Sequence, residues 1–196
     1  KLLEQKGFLV FVPDLPGFGG EPLPKSALTL NDYVLFVKDF VKKNIKGQYV
    51  LIGHSFGGRI AIVFSASSQR NLRGLILTGA AGIRHPLPLR SKVAFIFAKY
   101  GASIFTVSPL SKLREFFKKL LYRFAGEFDY YRAGKLRQTF ENAIAKDLRE
   151  YLAKIKVLTL LVWGDKDRIV PVSDGYFMAK HIPRSRLVII KDAPHR

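Results

Sequence analysis

Cysteine is absent from this chain of 196 residues. Disulfides, thiolate metal sites and cysteine nucleophiles are therefore excluded, and the composition fits a reducing compartment, with the cytoplasm as the expected location. Acidic residues are scarce, with 15 Asp and Glu against 33 Lys and Arg, for a formal net charge of +18. No apolar run approaches the roughly 18 residues that a bilayer-spanning helix needs. The start of the chain lacks the ordered charged, apolar and small-residue regions of a secretory signal peptide. Neither an internal repeat nor a low-complexity stretch occurs. What is present is 48% hydrophobic and 24% charged residues, the balance of one globular domain that buries a core. Both ends read as interrupted: KLLEQKG resembles the tail of an amphipathic helix, and Arg196 directly follows a His in a Pro-containing loop.

Short apolar runs alternate with helical periodicity. Phe8–Val12 (FLVFV), Tyr49–Ile52 (YVLI), Leu72–Thr78 (LRGLILT), Val157–Val162 (VLTLLV) and Leu187–Ile190 each have the pattern of a buried strand. Pro13 to Gly20 (PDLPGFGG) is turn chemistry throughout, and Asp14 reads as a structural residue of that turn. Thr29 to Lys46 reads as a helix, with Leu30, Tyr33, Val34, Val37, Phe40 and Val41 at helical spacing and Thr29 or Asn31 as its cap. Further helices are expected over Arg59 to Ser67 and around Ser173 to His181. Strands alternating with helices imply an α/β fold, a mostly parallel sheet with helices on both faces. Between Arg84 and Tyr151 the strand-like runs give way to helical segments rich in basic and aromatic residues, an insertion between two strands. The expected organisation is a core of residues 1–83 and 157–196 with an inserted unit at 84–156.

GHSFGG, Gly53 to Gly58, fits the G-x-S-x-G pattern and stands between a buried strand and a helix. A serine on such a turn sits in a strained backbone conformation, and flanking glycines give room where a Cβ would clash. Ser55 is then projected above the sheet edge at a helix N-terminus, where developing negative charge is favoured. The backbone N–H of Phe56 is the expected oxyanion donor. A serine hydroxyl needs a base within reach, itself oriented by a third group. Of four histidines, His54 adjoins the serine on the turn, His85 opens the insertion, and His181 lies near a helix C-terminus. His195 follows the last strand, at the carboxyl edge where open α/β sheets place their ligands, and is the expected base. Asp165, Asp167 and Asp192 are the candidate acids. The chain order Ser, Asp, His is that of a nucleophile-elbow hydrolase. His54 and Phe56, flanking the serine, are the expected substrate-binding residues.

The set DLPGFG, GHSFGG, WGDKDRIVP and DAPHR resembles the α/β-hydrolase superfamily, in the branch with a helical cap inserted after the sixth strand. The resemblance runs from strand four of that fold, through strand eight, to the loop carrying the histidine. Its G-x-x-D-x-x-V-P pattern falls on Gly164, Asp167, Val170 and Pro171, which favours Asp167 as the acid. Pro194 stands before His195 where the family typically has Gly. In that family a second oxyanion donor comes from a loop after strand three, which lies outside this chain. The resemblance implies a serine hydrolase of carboxylic esters or related acyl compounds, with no cofactor and no metal. The alternatives it admits are hydrolysis of a carbon–carbon bond, or a non-catalytic ligand-binding protein on the same scaffold, against which the Ser, Asp and His set weighs.

From Arg84 to Lys156 there are sixteen basic residues against six acidic ones, so more than half of the net charge lies in the insertion. Phe95, Phe97, Tyr100, Phe105, Phe116 and Phe117 give the same segment an apolar side. Such a segment suits a lid over an apolar pocket and peripheral contact with an anionic membrane. No recognised nucleic-acid-binding module accompanies the charge, so nucleic acid is not expected as a partner. The oligomeric state has no signature in the sequence.

Overall fold

A computed structural model describes residues 2–67, 70–85 and 136–195. Most of the expected lid, including all six aromatics named above, lies outside the described residues. The described chain forms a four-stranded sheet of β1 (Tyr49–His54), β2 (Leu72–Thr78), β3 (Leu158–Gly164) and β4 (Ser185–Ile190). The strands lie in the order β1-β2-β3-β4, and every pairing is parallel. Six helices are described: α1 (Leu2–Gln5), α2 (Leu30–Asn44), α3 (Phe56–Ala66), α4 (Arg137–Ala145), α5 (Arg149–Leu152) and α6 (Val172–His181). Parallel strands need crossover connections, and α3 between β1 and β2 and α6 between β3 and β4 supply them.

α2 begins with a reciprocal cap. Thr29 Oγ1 accepts the N–H of Asp32, and the Asp32 carboxylate accepts the N–H of Thr29 at 2.7 Å. The Thr29 hydroxyl also donates to the Asp32 carboxylate at 2.7 Å, and this hydrogen bond first, with that of the Thr29 N–H, lowers the Asp32 pKa below its ordinary value. Of the two expected cap residues, Thr29 fills the role. The inward stripe Leu30, Tyr33, Val34 and Val37 then packs on α3.

The two helices that pack on the sheet lie on one face. Leu75, Leu77, Leu161 and Trp163 share that face through the strand register and are almost fully buried. A Cβ at Gly53 would meet Gly57 O and Ala61 of α3, and one at Gly175 of α6 would meet Trp163. On the opposite face Val50, Ile52 and Leu158 are each more than half exposed, and no described helix covers them. The strand expected at Phe8–Val12 is not formed. That segment has no regular secondary structure and joins no ladder, and Phe8, Leu9 and Val12 are exposed. Its composition suits a strand, but the Phe8 N–H donates back to Leu3 O at 3.1 Å and no described strand pairs with the segment, and a strand exists only as part of a ladder.

The last residues of the expected insertion pack into the core. Leu148, Leu152 and Ile155 are fully buried in the same cluster as Phe64 and Leu75. The Leu148 N–H donates to Gly82 O at 2.9 Å. Arg59 of α3, 4% exposed, donates through Nε to Ala143 O at 3.0 Å and through Nη2 to Lys146 O. Desolvation lowers its pKa to about 10, opposed by the nearby Asp147 charge. The helix that follows Ser55 is thus fastened to the C-terminal end of α4 by a buried guanidinium, a cation where the helix dipole favours one.

Candidate active site

The turn between β1 and α3 holds Ser55 at φ 51° and ψ −113°. A positive φ is rare for a residue with a Cβ and costs about 1–3 kcal/mol. The surrounding hydrogen bonds hold it there. Ser55 N–H donates to Thr78 O at 3.2 Å, while Ser55 O accepts from Gly58 N–H at 3.0 Å and Ala81 N–H at 3.2 Å. The serine is therefore tied to the carboxyl end of β2. A Cβ at Gly53 would lie 2.7 Å from Gly57 O, and one at Gly58 would collide with Ala80. Gly57, by contrast, has open space around its Cβ position. The glycines that this turn requires are Gly53 and Gly58, not both glycines of the five-residue pattern. Phe56 opens α3, so its N–H belongs to the first-turn donors that have no helical acceptor.

The loop after β3 carries Asp167. Trp163, buried on the helix-covered face, donates its indole N–H to Val170 O at 3.1 Å and closes the loop. Asp167 Oδ1 accepts the N–H groups of Ile169 at 2.9 Å and Val170 at 2.8 Å, which fix the carboxylate plane. Oδ2 is left for His195, whose Nδ1 stands 2.7 Å away. The two side chains are 1% and 5% exposed. A carboxylate held this way accepts the Nδ1 proton of the imidazole and leaves Nε2 as the ring nitrogen facing away from Asp167. The loop carrying His195 is stitched to the first by Lys166 N–H donating to Ala193 O at 3.1 Å. A Cβ at Gly164 would collide with that same carbonyl.

Gly79 joins these parts. It follows Thr78, the acceptor for Ser55, and has φ +46°. A Cβ there would lie 3.1 Å from both Asp167 Oδ2 and His195 Nδ1. The Ser55 turn and the Asp167–His195 pair thus meet at the carboxyl end of β2. Ser55 and His195 are not hydrogen-bonded to each other, and such contacts commonly tighten only when substrate binds.

The remaining candidates separate. Asp165 is exposed, and Asp192 pairs with Lys166 at 2.6 Å, so neither holds His195. His181 Nδ1 lies 2.7 Å from Phe177 O within α6, a structural position. Asp14 Oδ2 accepts Gly20 N–H at 3.0 Å, and its carboxylate fills the space of a Gly19 Cβ, also structural. Phe56 packs edge-on to Tyr33 at 5.2 Å and lies 6.3 Å from Phe18 of the PDLPGFGG turn. His54 stacks on His195 with ring centroids 4.8 Å apart. Sequence reasoning passed over Gly79 and Phe18. The run TGAAG at the end of β2 was the available sign of a close backbone approach.

Among the described residues, no group of three or more His, Asp or Glu side chains converges as a metal site. No described helix is long and apolar enough to cross a membrane. An open groove of about 420 Å³, lined in part by Val34, Lys38, Val63 and Lys154, lies towards the far end of α3 from Ser55.

The family model for serine aminopeptidase, S33, matches residues 1–196. The chain belongs to this family of α/β-hydrolases. Lipase 1 of Psychrobacter immobilis is 24% identical over 212 residues, covering 97% of this chain and 64% of the relative. A pimeloyl-[acyl-carrier protein] methyl ester esterase of Neisseria meningitidis is 28% identical over 198 residues, covering 93% of this chain and 74% of that protein. Among solved structures, an esterase from Exiguobacterium antarcticum superposes with a TM-score of 0.65 at 22% identity, over 93% of this chain and 72% of that one. This likeness establishes the fold. The chain spans less than two thirds of the length of Lipase 1.

Proposed function

We propose that the protein is a serine hydrolase that cleaves a carboxylic ester through an acyl-enzyme. Ser55 is the nucleophile, His195 the general base and then acid, Asp167 the residue that orients His195, and the Phe56 N–H an oxyanion donor. The observation that carries this reading is the buried Asp167–His195 pair at 2.7 Å, beside the strand end that fixes Ser55 at positive φ. The relatives that are a lipase and an ester esterase support the ester as substrate class.

In the first half-reaction Ser55 Oγ adds to the ester carbonyl while His195 Nε2 takes its proton. The carbonyl oxygen becomes an oxyanion facing the Phe56 N–H and the N-terminus of α3. Asp167 stabilises the imidazolium without taking its proton. Collapse of the intermediate breaks the carbon–alkoxy bond, and His195 gives the proton to the leaving alcohol. Water then repeats the sequence on the acyl-Ser55 bond and releases the acid. Phe56 and Phe18 supply apolar surface near the serine, and the lid expected at 84–156 would complete the pocket. The basic, aromatic composition of the insertion supports peripheral contact with an anionic membrane, and composition alone supports a cytoplasmic location.

The test is pre-steady-state hydrolysis of p-nitrophenyl esters of increasing acyl length by the full-length protein. A burst of one nitrophenolate per protein, followed by slower turnover, is expected. Neither burst nor turnover with a folded protein would contradict the proposal and favour a ligand-binding role.

A further inference from the structure

We propose that His54 is a positioning residue that fixes the ring plane of His195. This rests on the serine-hydrolase reading, in which His195 is the base. The hydrogen bond from His195 Nδ1 to Asp167 Oδ2 fixes one atom and one direction. It leaves the imidazole able to rock about that axis, which would swing Nε2 away from Ser55. A contact on the ring face removes this freedom. His54 supplies one, with its ring centroid 4.8 Å from that of His195 and the planes tilted by 37°.

His54 is itself anchored. Its Nδ1 lies 2.9 Å from Thr78 O and 3.0 Å from Thr78 Oγ1, across the β1–β2 register that pairs the two residues. A carbonyl oxygen can only accept, so Nδ1 carries the proton. That hydrogen bond holds the plane of the His54 ring, and with it the face turned to His195. Gly79 packs against the same imidazole near Nδ1 and Cε1. His195 is thus gripped by a carboxylate, a backbone and a ring. The last of these comes from the residue next to the nucleophile, so the strand end that aims Ser55 also sets the plane of its base. Sequence reasoning placed His54 among substrate-binding residues; its ring also faces that of His195.

Two substitutions separate the ring from its hydrogen bond. His54→Asn keeps an N–H donor for Thr78 O and loses the ring. His54→Phe keeps a ring and loses the donor. Acylation by p-nitrophenyl acetate is followed by stopped flow in the full-length protein and both variants, with KM, kcat and thermal midpoint beside it. The expected result is a roughly tenfold slower acylation in His54→Asn with KM within about twofold, and acylation within about threefold of wild type in His54→Phe. Normal acylation by His54→Asn would overturn the proposal. So would equal slowing in both variants with lowered thermal midpoints, the mark of a structural hydrogen bond. A wild-type protein that does not acylate at all would instead remove the serine-hydrolase reading, and this inference with it.

Discussion

Among the described residues two carboxylate–imidazole pairs have the same 2.7 Å separation, and they differ in everything around that distance. In one, Asp167 and His195 are both buried, the second carboxylate oxygen is bonded to two backbone N–H groups, and the imidazole lies beside Ser55's strand end. In the other, buried Asp174 of α6 meets His85, whose side chain is 51% exposed. Burial raises the Asp174 pKa above its ordinary value, with the hydrogen bond and charge of His85 and the charge of Arg149 opposing the shift and Asp167 adding to it. Among the contacts described His85 faces no nucleophile; it ties the first residues of the expected insertion to the first turn of α6. A short His–Asp contact is therefore no signature of catalysis by itself. What distinguishes the first pair is a fixed carboxylate, a dry imidazole and a strained serine at the same sheet edge.

The sharpest way to break this contrast is to neutralise each acid in turn. Asp167→Asn should lower kcat on an ester by on the order of 10³- to 10⁴-fold, because the imidazole loses its tautomer and its partner. Asp174→Asn should leave kcat within about threefold, as a group that touches no reacting atom. Equal losses in steady-state assays would erase the distinction. A smaller effect is expected from Gly79→Ala, whose methyl would press on the first pair and not the second. A displacement of under 1 Å there should cost on the order of 10²-fold in kcat at little change in KM.

The serine turn supplies a third comparison. Gly53→Ala should destabilise the fold by about 1–3 kcal/mol through overpacking against α3, read as a lowered thermal midpoint. Gly57→Ala should leave the midpoint nearly unchanged, since its Cβ enters open space. The smallest effect concerns pH. Asp174, with its raised pKa, holds its proton to higher pH when folded than when unfolded. Its contribution to stability is therefore fully present below the ordinary carboxylate value and declines as pH rises from there through the folded pKa. Denaturant titrations of Asp174→Asn across that interval should show a flatter pH dependence than wild type.

Much of the site was legible before any coordinates, for physical reasons that particular residues make plain. Ser55, Asp167 and His195 each lie in the loop or turn that follows an apolar strand run, and the carboxyl edge of a parallel sheet gathers such residues whatever the intervening chain does. Choosing Asp167 over Asp165 needed family resemblance, because local chemistry offers two carboxylates two positions apart. The structure shows what separates them: Asp167 is enclosed by its own turn and Asp165 faces water. Phe8–Val12 was misread because apolar β-formers state only a capacity to pair. Gly79 and the role of the His54 ring depend on contacts across strands, which no linear spacing encodes. The same holds for Arg59, a charged residue on a helix that would ordinarily be assigned to the surface and is here buried against the end of α4.

Fluorophosphonate labelling of the full-length protein, read by intact mass and peptide mapping, asks directly whether this strand edge activates Ser55. One adduct is expected, located on Ser55, absent in Ser55→Ala and formed far more slowly in Asp167→Asn than in Asp174→Asn. No adduct on the folded wild-type protein, or an adduct that persists in Ser55→Ala, would contradict that activation.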